Sequence, residues 1–132
     1  MSAADYLDLV RDRRRWIAEI EAAVEPYDAL LSPTVPMVAP PLAPLLPVAD
    51  GPDAASQRAA KAADQRFFMI NTLLLRNPSV VNMLDGCALS LPCQSPGQLP
   101  VGLMVWAPAM ADDRVLGVSL AIESALAAAE AR

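Results

Sequence analysis

Few side chains in this 132-residue sequence could do chemistry. It contains no histidine, which removes Ser-His-Asp and Cys-His arrangements and the commonest metal ligand together. A Ser-Lys mechanism needs a buried lysine of lowered pKa to take the proton from a serine. Lys61 is the only lysine, and it stands among Arg58, Asp64 and Gln65 on a polar stretch, where a solvated ammonium is expected. Ser32, Ser79, Ser90 and Ser95 have no base nearby in sequence and no glycine-rich turn to supply oxyanion donors. What remains catalytically is a small hydrolase built on Ser56 and Lys61, or a carboxylate pair such as Asp28 and Asp85. Carboxylates in turns ordinarily serve the turn. Cys87 and Cys93 lack zinc-site spacing and have no further cysteine or histidine to complete a ligand set, so no metal site is expected and both read as free buried thiols. The five glycines are dispersed and form no phosphate cradle, so no cofactor is expected either.

Composition narrows the partners. A net charge of −5 and a pI near 4.5 argue against nucleic acid, because binding a polyanion requires clustered Lys and Arg. The one basic cluster, Arg11, Arg13, Arg14 and Arg15, is interleaved with acidic residues and reads as a solvated helix face. Hydrophobic residues make up 55% of the chain but aromatic ones only 5%, and the mean hydropathy is +0.33. This excess of small aliphatic residues suggests apolar surface that something outside the chain covers. Met1 is followed by a polar amphipathic stretch instead of the apolar core of a signal peptide, and no apolar run approaches the length of a membrane span. A cytoplasmic protein without membrane or nucleic-acid partners is the expectation.

The elements that would position these residues follow from periodicity and capping. Ser2 and Asp5 form a capping box, and Tyr6, Leu9, Val10, Trp16, Ile17, Ile20 and Val24 recur at helical spacing until Pro26. Ala29 to Ser32, closed by Pro33, reads as a short buried strand. A proline-rich loop fills 33–52, where neither helix nor sheet can persist. Asp53 caps a second helix from about Ala54 to Leu75, with an exposed start and an apolar, buried end from Phe67 onward, broken by Asn77-Pro78. Asn82, Asp85 and Gly86 form a turn. Ala88 to Leu91 and Val101 to Trp106 read as two strands of a hairpin with a long connection, and Asp112 or Asp113 caps a last helix to about Glu130. The whole is an α/β unit over 1–132 with about three short strands and three helices. So narrow a sheet has two open edges whose peptide groups need partners.

Three stretches, Tyr27-Asp-Ala-Leu-Leu-Ser-Pro-Thr34, Asn82-Met-Leu-Asp-Gly-Cys-Ala-Leu-Ser-Leu-Pro92 and Leu99-Pro-Val-Gly-Leu-Met-Val105, together resemble the C-terminal part of the amidase-signature family. In that family a strand leads to Pro-Thr, an Asn precedes a turn into a proline-terminated strand, and a Leu-Pro-Val-Gly-Leu strand follows. The flanking helices fall in matching places, so the resemblance covers nearly the whole chain. It departs at Asp85 and Cys87, where the family more often has Gly and Pro, which suggests a different turn. The resemblance implies a partial mixed sheet completed by strands from elsewhere, and an amide hydrolase whose Ser-Ser-Lys triad matches nothing here. It implies structural roles for Leu30, Leu31, Leu89, Leu91, Val101, Leu103 and Val105 in the sheet core. Pro33, Thr34, Pro92, Pro100 and Gly102 would shape turns, and Asn82, Asp85, Gly86 and Cys87 are the candidate substrate contacts at a strand end. The expected partner is the triad-bearing part of an amidase acting on a small-molecule amide, or a second copy of the chain paired through its sheet edges.

Overall fold

The computed structural model describes residues 1–49 and 51–130, without the side chain of Glu130; Asp50, inside the proline-rich loop, lies outside the described residues. Along the chain run α1 (Ala3–Val24), β1 (Leu30–Pro33), a 3-10 turn (Ala43–Leu45), α2 (Ala54–Met83), β2 (Cys87–Pro92), β3 (Gly102–Ala107) and α3 (Asp112–Glu130). The three helices and three strands of the expected α/β arrangement are present. Ser2 Oγ accepts from Asp5 N while Asp5 Oδ2 accepts from Ser2 N, closing the capping box at the start of α1. Asp53 accepts from the backbone of Ala55 and Ser56 at the start of α2. In α3, Asp112 and Asp113 lie within the first turn instead of preceding it, where their charge still meets the positive end of the helix dipole.

The sheet order is β1-β3-β2 and both pairings are antiparallel. The parallel component that a mixed sheet requires is therefore not made among the described strands. Thr34 N donates to Gly102 O and Cys93 N to Val101 O, at 2.8 and 2.9 Å, which fixes which peptide groups face inward. Backbone direction alternates along a strand, so Leu30 and Ser32 bond to β3 from one side and Cys87, Leu89 and Leu91 from the other. Leu31 and Pro33 on β1, and Ala88, Ser90 and Pro92 on β2, turn their peptide groups away from the sheet. Asn77 Nδ2 donates to the outward Pro33 O at 2.6 Å, supplying the bond a further strand would make.

The core forms where α3 crosses β2 and β3. Val115 is buried against Leu91, Val105 and Ala107, with Leu89, Val118 and Ile122 packed around them. Val105, in the central strand, is fully buried. Leu31 faces the same side as its partner Val105 but is 55% exposed, because α3 packs on β2 and β3 and leaves β1 uncovered. Val101 is also exposed and Leu30, Leu89 and Leu103 are half-buried, so of the expected sheet core only Leu91 and Val105 are buried within this chain.

Two expectations about α2 are corrected. The helix does not stop at Asn77 but runs through Pro78 to Met83. Proline inside a helix costs about 3 kcal/mol, and this is offset because the extra turns bury Val81 and Leu84, each worth about 1.5–3 kcal/mol. Asn77, the residue before the proline, also uses its side chain to bind β1. The apolar half of the helix is not buried: Phe67, Phe68, Met69 and Leu75 are exposed, Phe68 at 65%. Helix α1 likewise has no buried residue. The apolar stretch of α2 from Phe67 to Met69 thus faces outward, while the stripe on α1 is half-buried.

Candidate functional site

The sequence-nominated residues fall into two groups at opposite ends of the sheet, separated by the length of β2, about 17 Å at the rise of an antiparallel strand. Asn82, Asp85, Gly86 and Cys87 stand where α2 turns into β2. Pro33, Thr34, Pro92, Pro100 and Gly102 gather at the other end, where β1 and β2 finish and β3 begins. No single site joins them.

The first group is built around a tight turn. Leu84 closes α2, donating to Val80 O and Val81 O, and Gly86 N donates to Val81 O at 3.0 Å. Between them Asp85 adopts φ +54°, a left-handed conformation that favours glycine and is tolerated by Asp. This is the position where the resembling family more often has glycine, the residue that the left-handed region favours. Asp85 is held there by Arg13, whose Nη2 donates to Asp85 Oδ1 at 2.6 Å and reaches Asn82 O at 3.5 Å. The hydrogen bond from the guanidinium holds the Asp85 carboxyl below its ordinary value, with a smaller opposing effect from desolvation. Gly86 has no room for a side chain, since a Cβ there would stand 2.6 Å from Ala107 O. Cys87 Sγ donates to Pro108 O at 3.5 Å, so the thiol, half-buried, ties β2 to the end of β3. Cys93, expected to be buried, is exposed.

Arg13 is the residue that sequence reasoning misses. Its place in the basic cluster assigns it to a solvated face, yet it occupies the stripe Val10, Arg13, Ile17, Ile20 and Val24, spaced at three and four, and like them it is half-buried. Placement inside the apolar stripe, which its neighbours Arg11, Arg14 and Arg15 do not share, is the available signal. Because a depressed carboxyl pKa stabilises only while the group is ionised, the contribution of Asp85 is present above the ordinary carboxylate range and lost as pH falls through the lower folded value. Asp85→Asn is accordingly expected to lower stability at about pH 6, with the difference from the parent shrinking steadily as the pH falls through and below the ordinary carboxylate range. A series of urea midpoints from neutral to acid pH, followed by tryptophan fluorescence, checks this. A gap that stays constant across the series would rule out the ionic contribution.

At the opposite end, Thr34 Oγ1 and Ser90 Oγ share a short hydrogen bond. A Cβ on Gly102 would collide with both hydroxyls, so this glycine lets the central strand pass beneath the pair. Gln94 Oε1 accepts from Val101 N at 3.2 Å and holds the hairpin connection beside them. A cleft between the end of α1 and the start of α3 is lined by Glu21, Tyr27, Asp28, Trp106 and Arg114.

No constellation for activating a nucleophile appears among the described residues. Lys61 is exposed on α2. Ser56 Oγ donates to Asp53 Oδ2 at 2.6 Å as part of the helix cap. Asp85 is engaged by Arg13 while Asp28 lines the cleft at the end of α1. No described helix is long and apolar enough to cross a membrane.

Comparison with known proteins identifies relatives over most of the chain. Over 108 residues the chain is 39% identical to a glutamyl-tRNA(Gln) amidotransferase subunit of Salinispora arenicola, covering 82% of the chain and 18% of that protein. It is 37% identical over 109 residues to the corresponding subunit of Streptomyces coelicolor, covering 81% and 18%. It is 26% identical over 136 residues to the 2-amino-5-chloromuconic acid deaminase of Comamonas testosteroni, covering 88% and 26%. The chain thus spans about a fifth to a quarter of the length of these relatives. No solved structure gives a significant match. The family model described as Amidase matches residues 1–116, and the chain belongs to the amidase family.

Proposed function

We propose that this chain is the structural, substrate-side part of an amidase-type amide hydrolase, which converts a carboxamide to a carboxylate and ammonia or an amine. The observation that carries this reading is family membership over residues 1–116 combined with a span of only 18% of the amidotransferase relatives. The Ser-Ser-Lys triad comes from residues outside these 132. There a lysine takes the proton of a bridging serine, the nucleophilic serine attacks the amide carbonyl, backbone N–H groups hold the oxyanion, and water releases the acid. In this chain Asn82, Asp85, Gly86 and Cys87 approach the substrate at the end of β2. Support for that role comes from their grouping on a turn that Arg13 fixes in place. Asn82 is exposed there, and its side chain makes no hydrogen bond among the described residues.

Ammonia release from simple carboxamides tests the reading. The isolated chain is expected to give none above buffer, and activity is expected to appear when it is co-expressed with the triad-bearing part of an amidase. Turnover by the isolated chain that disappears in Lys61→Ala would overturn it. A second reading, a non-enzymatic protein that associates with itself, draws support from the outward-facing peptide groups of β1 and β2. Sedimentation at several concentrations distinguishes it by a discrete dimer.

A further inference from the structure

We propose that Arg13 and Asp85 form a latch that docks α1 on the turn after α2, so that helix and turn tighten or loosen together. At the end of α2, Asp85 N donates to Asn82 O at 3.3 Å and Gly86 N to Val81 O at 3.0 Å. With Asp85 at φ +54°, these two bonds make the Schellman closure that ends many helices. Glycine adopts its left-handed position freely, whereas an aspartate is crowded there by its own Cβ. The hydrogen bond from Arg13 at 2.6 Å holds the Asp85 side chain while the backbone takes that shape. The same guanidinium nitrogen reaches Asn82 O, one of the carbonyls left at the helix end. Helix α2 has no basic residue in its last turn, so the cation that favours a helix C-terminus comes from a residue 69 positions away.

On the α1 side, the same bonds are the anchor. None of the residues of α1 is buried, and Val10, Ile17, Ile20 and Val24 are half-buried. Its other side-chain hydrogen bonds, Ser2 with Asp5 and Arg11 with Asp8, stay within the helix and its cap. Arg13 therefore makes the only side-chain hydrogen bonds from α1 to another element among the described residues. The sheet core lies elsewhere, under α3, around Leu91, Val105 and Val115. Releasing Arg13 thus loosens α1 and the turn without opening the sheet. Because coupling is reciprocal, a ligand that settles on Asn82 or Gly86 also docks α1 more firmly. That consequence rests on the substrate-side reading, and makes Arg13 a positioning residue; the latch itself stands apart from it.

Hydrogen exchange in the 132-residue chain tests the latch. Arg13→Ala is expected to speed exchange at least about 10-fold at Ile17 and at Gly86, and to leave Leu89 and Val105 in the sheet within about 3-fold of the parent. Asp85→Gly cuts the latch but keeps a residue suited to the left-handed turn, so Ile17 is expected to speed up while Gly86 stays protected. Unchanged exchange at Ile17 in both variants overturns the latch. So does loss of protection at Ile17, Gly86, Leu89 and Val105 together in Arg13→Ala, and so does loosening of Ile17 without Gly86 in that variant. A second measurement reads the substrate side, in the enzyme assembled by co-expression with the triad-bearing part of an amidase. There Arg13→Ala is expected to raise KM about 10-fold, with a smaller change in kcat. If Asn82→Ala moves KM and Arg13→Ala does not, the positioning role of Arg13 is overturned. If neither variant moves it, the substrate-side reading falls and the latch is decided by exchange alone.

Discussion

Gly86→Ala is expected to lower stability by about 1–3 kcal/mol or more, the cost of forcing a methyl group into filled space. The added Cβ would stand 2.6 Å from Ala107 O and 3.3 Å from Val81 Cγ1. Ala107 is paired with Cys87 across the ladder, so its carbonyl cannot withdraw without opening the end of the β2–β3 pair. Val81 is buried and anchors the last turn of α2. The strain therefore spreads into strand and helix together instead of being absorbed by a flexible side chain. Gly117→Ala supplies the opposite sign. It lies in α3 with nothing within 4 Å of an added Cβ, and replacing a helical glycine by alanine stabilises by roughly 0.5–1 kcal/mol. Urea midpoints of the two variants should move in opposite directions from the parent. A neutral Gly86→Ala would mean that the turn into β2 is looser than described.

Leu84→Ala is expected to cost about 2–5 kcal/mol, the range for truncating a buried leucine when the surroundings close only in part. Leu84 is 1% exposed and is one of the two largest fully buried side chains. It also holds the junction at which α2 ends, Asp85 turns left-handed and Arg13 reaches across from α1. Its loss should therefore free α1 as well as leave a cavity, visible as a red shift in tryptophan emission, since Trp16 lies half-buried on that helix. Leu120→Ala, at a position 63% exposed, should fall within about 0.5 kcal/mol of the parent. Equal effects at the two leucines would show that α2 does not depend on this residue for its last turns.

How much is legible in the sequence depends on how local the determining interaction is. Both helix caps at Ser2 and Asp53 are readable, because capping involves residues two or three apart. The hairpin of β2 and β3 is readable from its apolar runs and the proline-rich connection. The pairing of β1 with β3 instead of β2 is not, since nothing in four residues of β1 specifies a partner about seventy positions away. The passage of α2 through Pro78 escapes local propensity, which ends the helix at Asn77. The burial of Val81 and Leu84 and the bond from Asn77 to Pro33 are tertiary, and they outweigh the proline penalty. Periodicity locates the apolar stripes of α1 and α2 but cannot say that the one on α1 is half-buried while Phe67, Phe68 and Met69 of α2 are exposed. In the candidate site, the turn at Asn82 to Cys87 is visible as turn chemistry. Arg13, which holds it, is hidden by three neighbouring arginines that do point to solvent.

Pro33 and Pro92 close the two edge strands at the same end of the sheet, and neither has an N–H to offer. On its outward side each edge therefore ends on a carbonyl with no donor beside it, so a two-way ladder of peptide bonds along either edge would lose one rung at that end of the sheet.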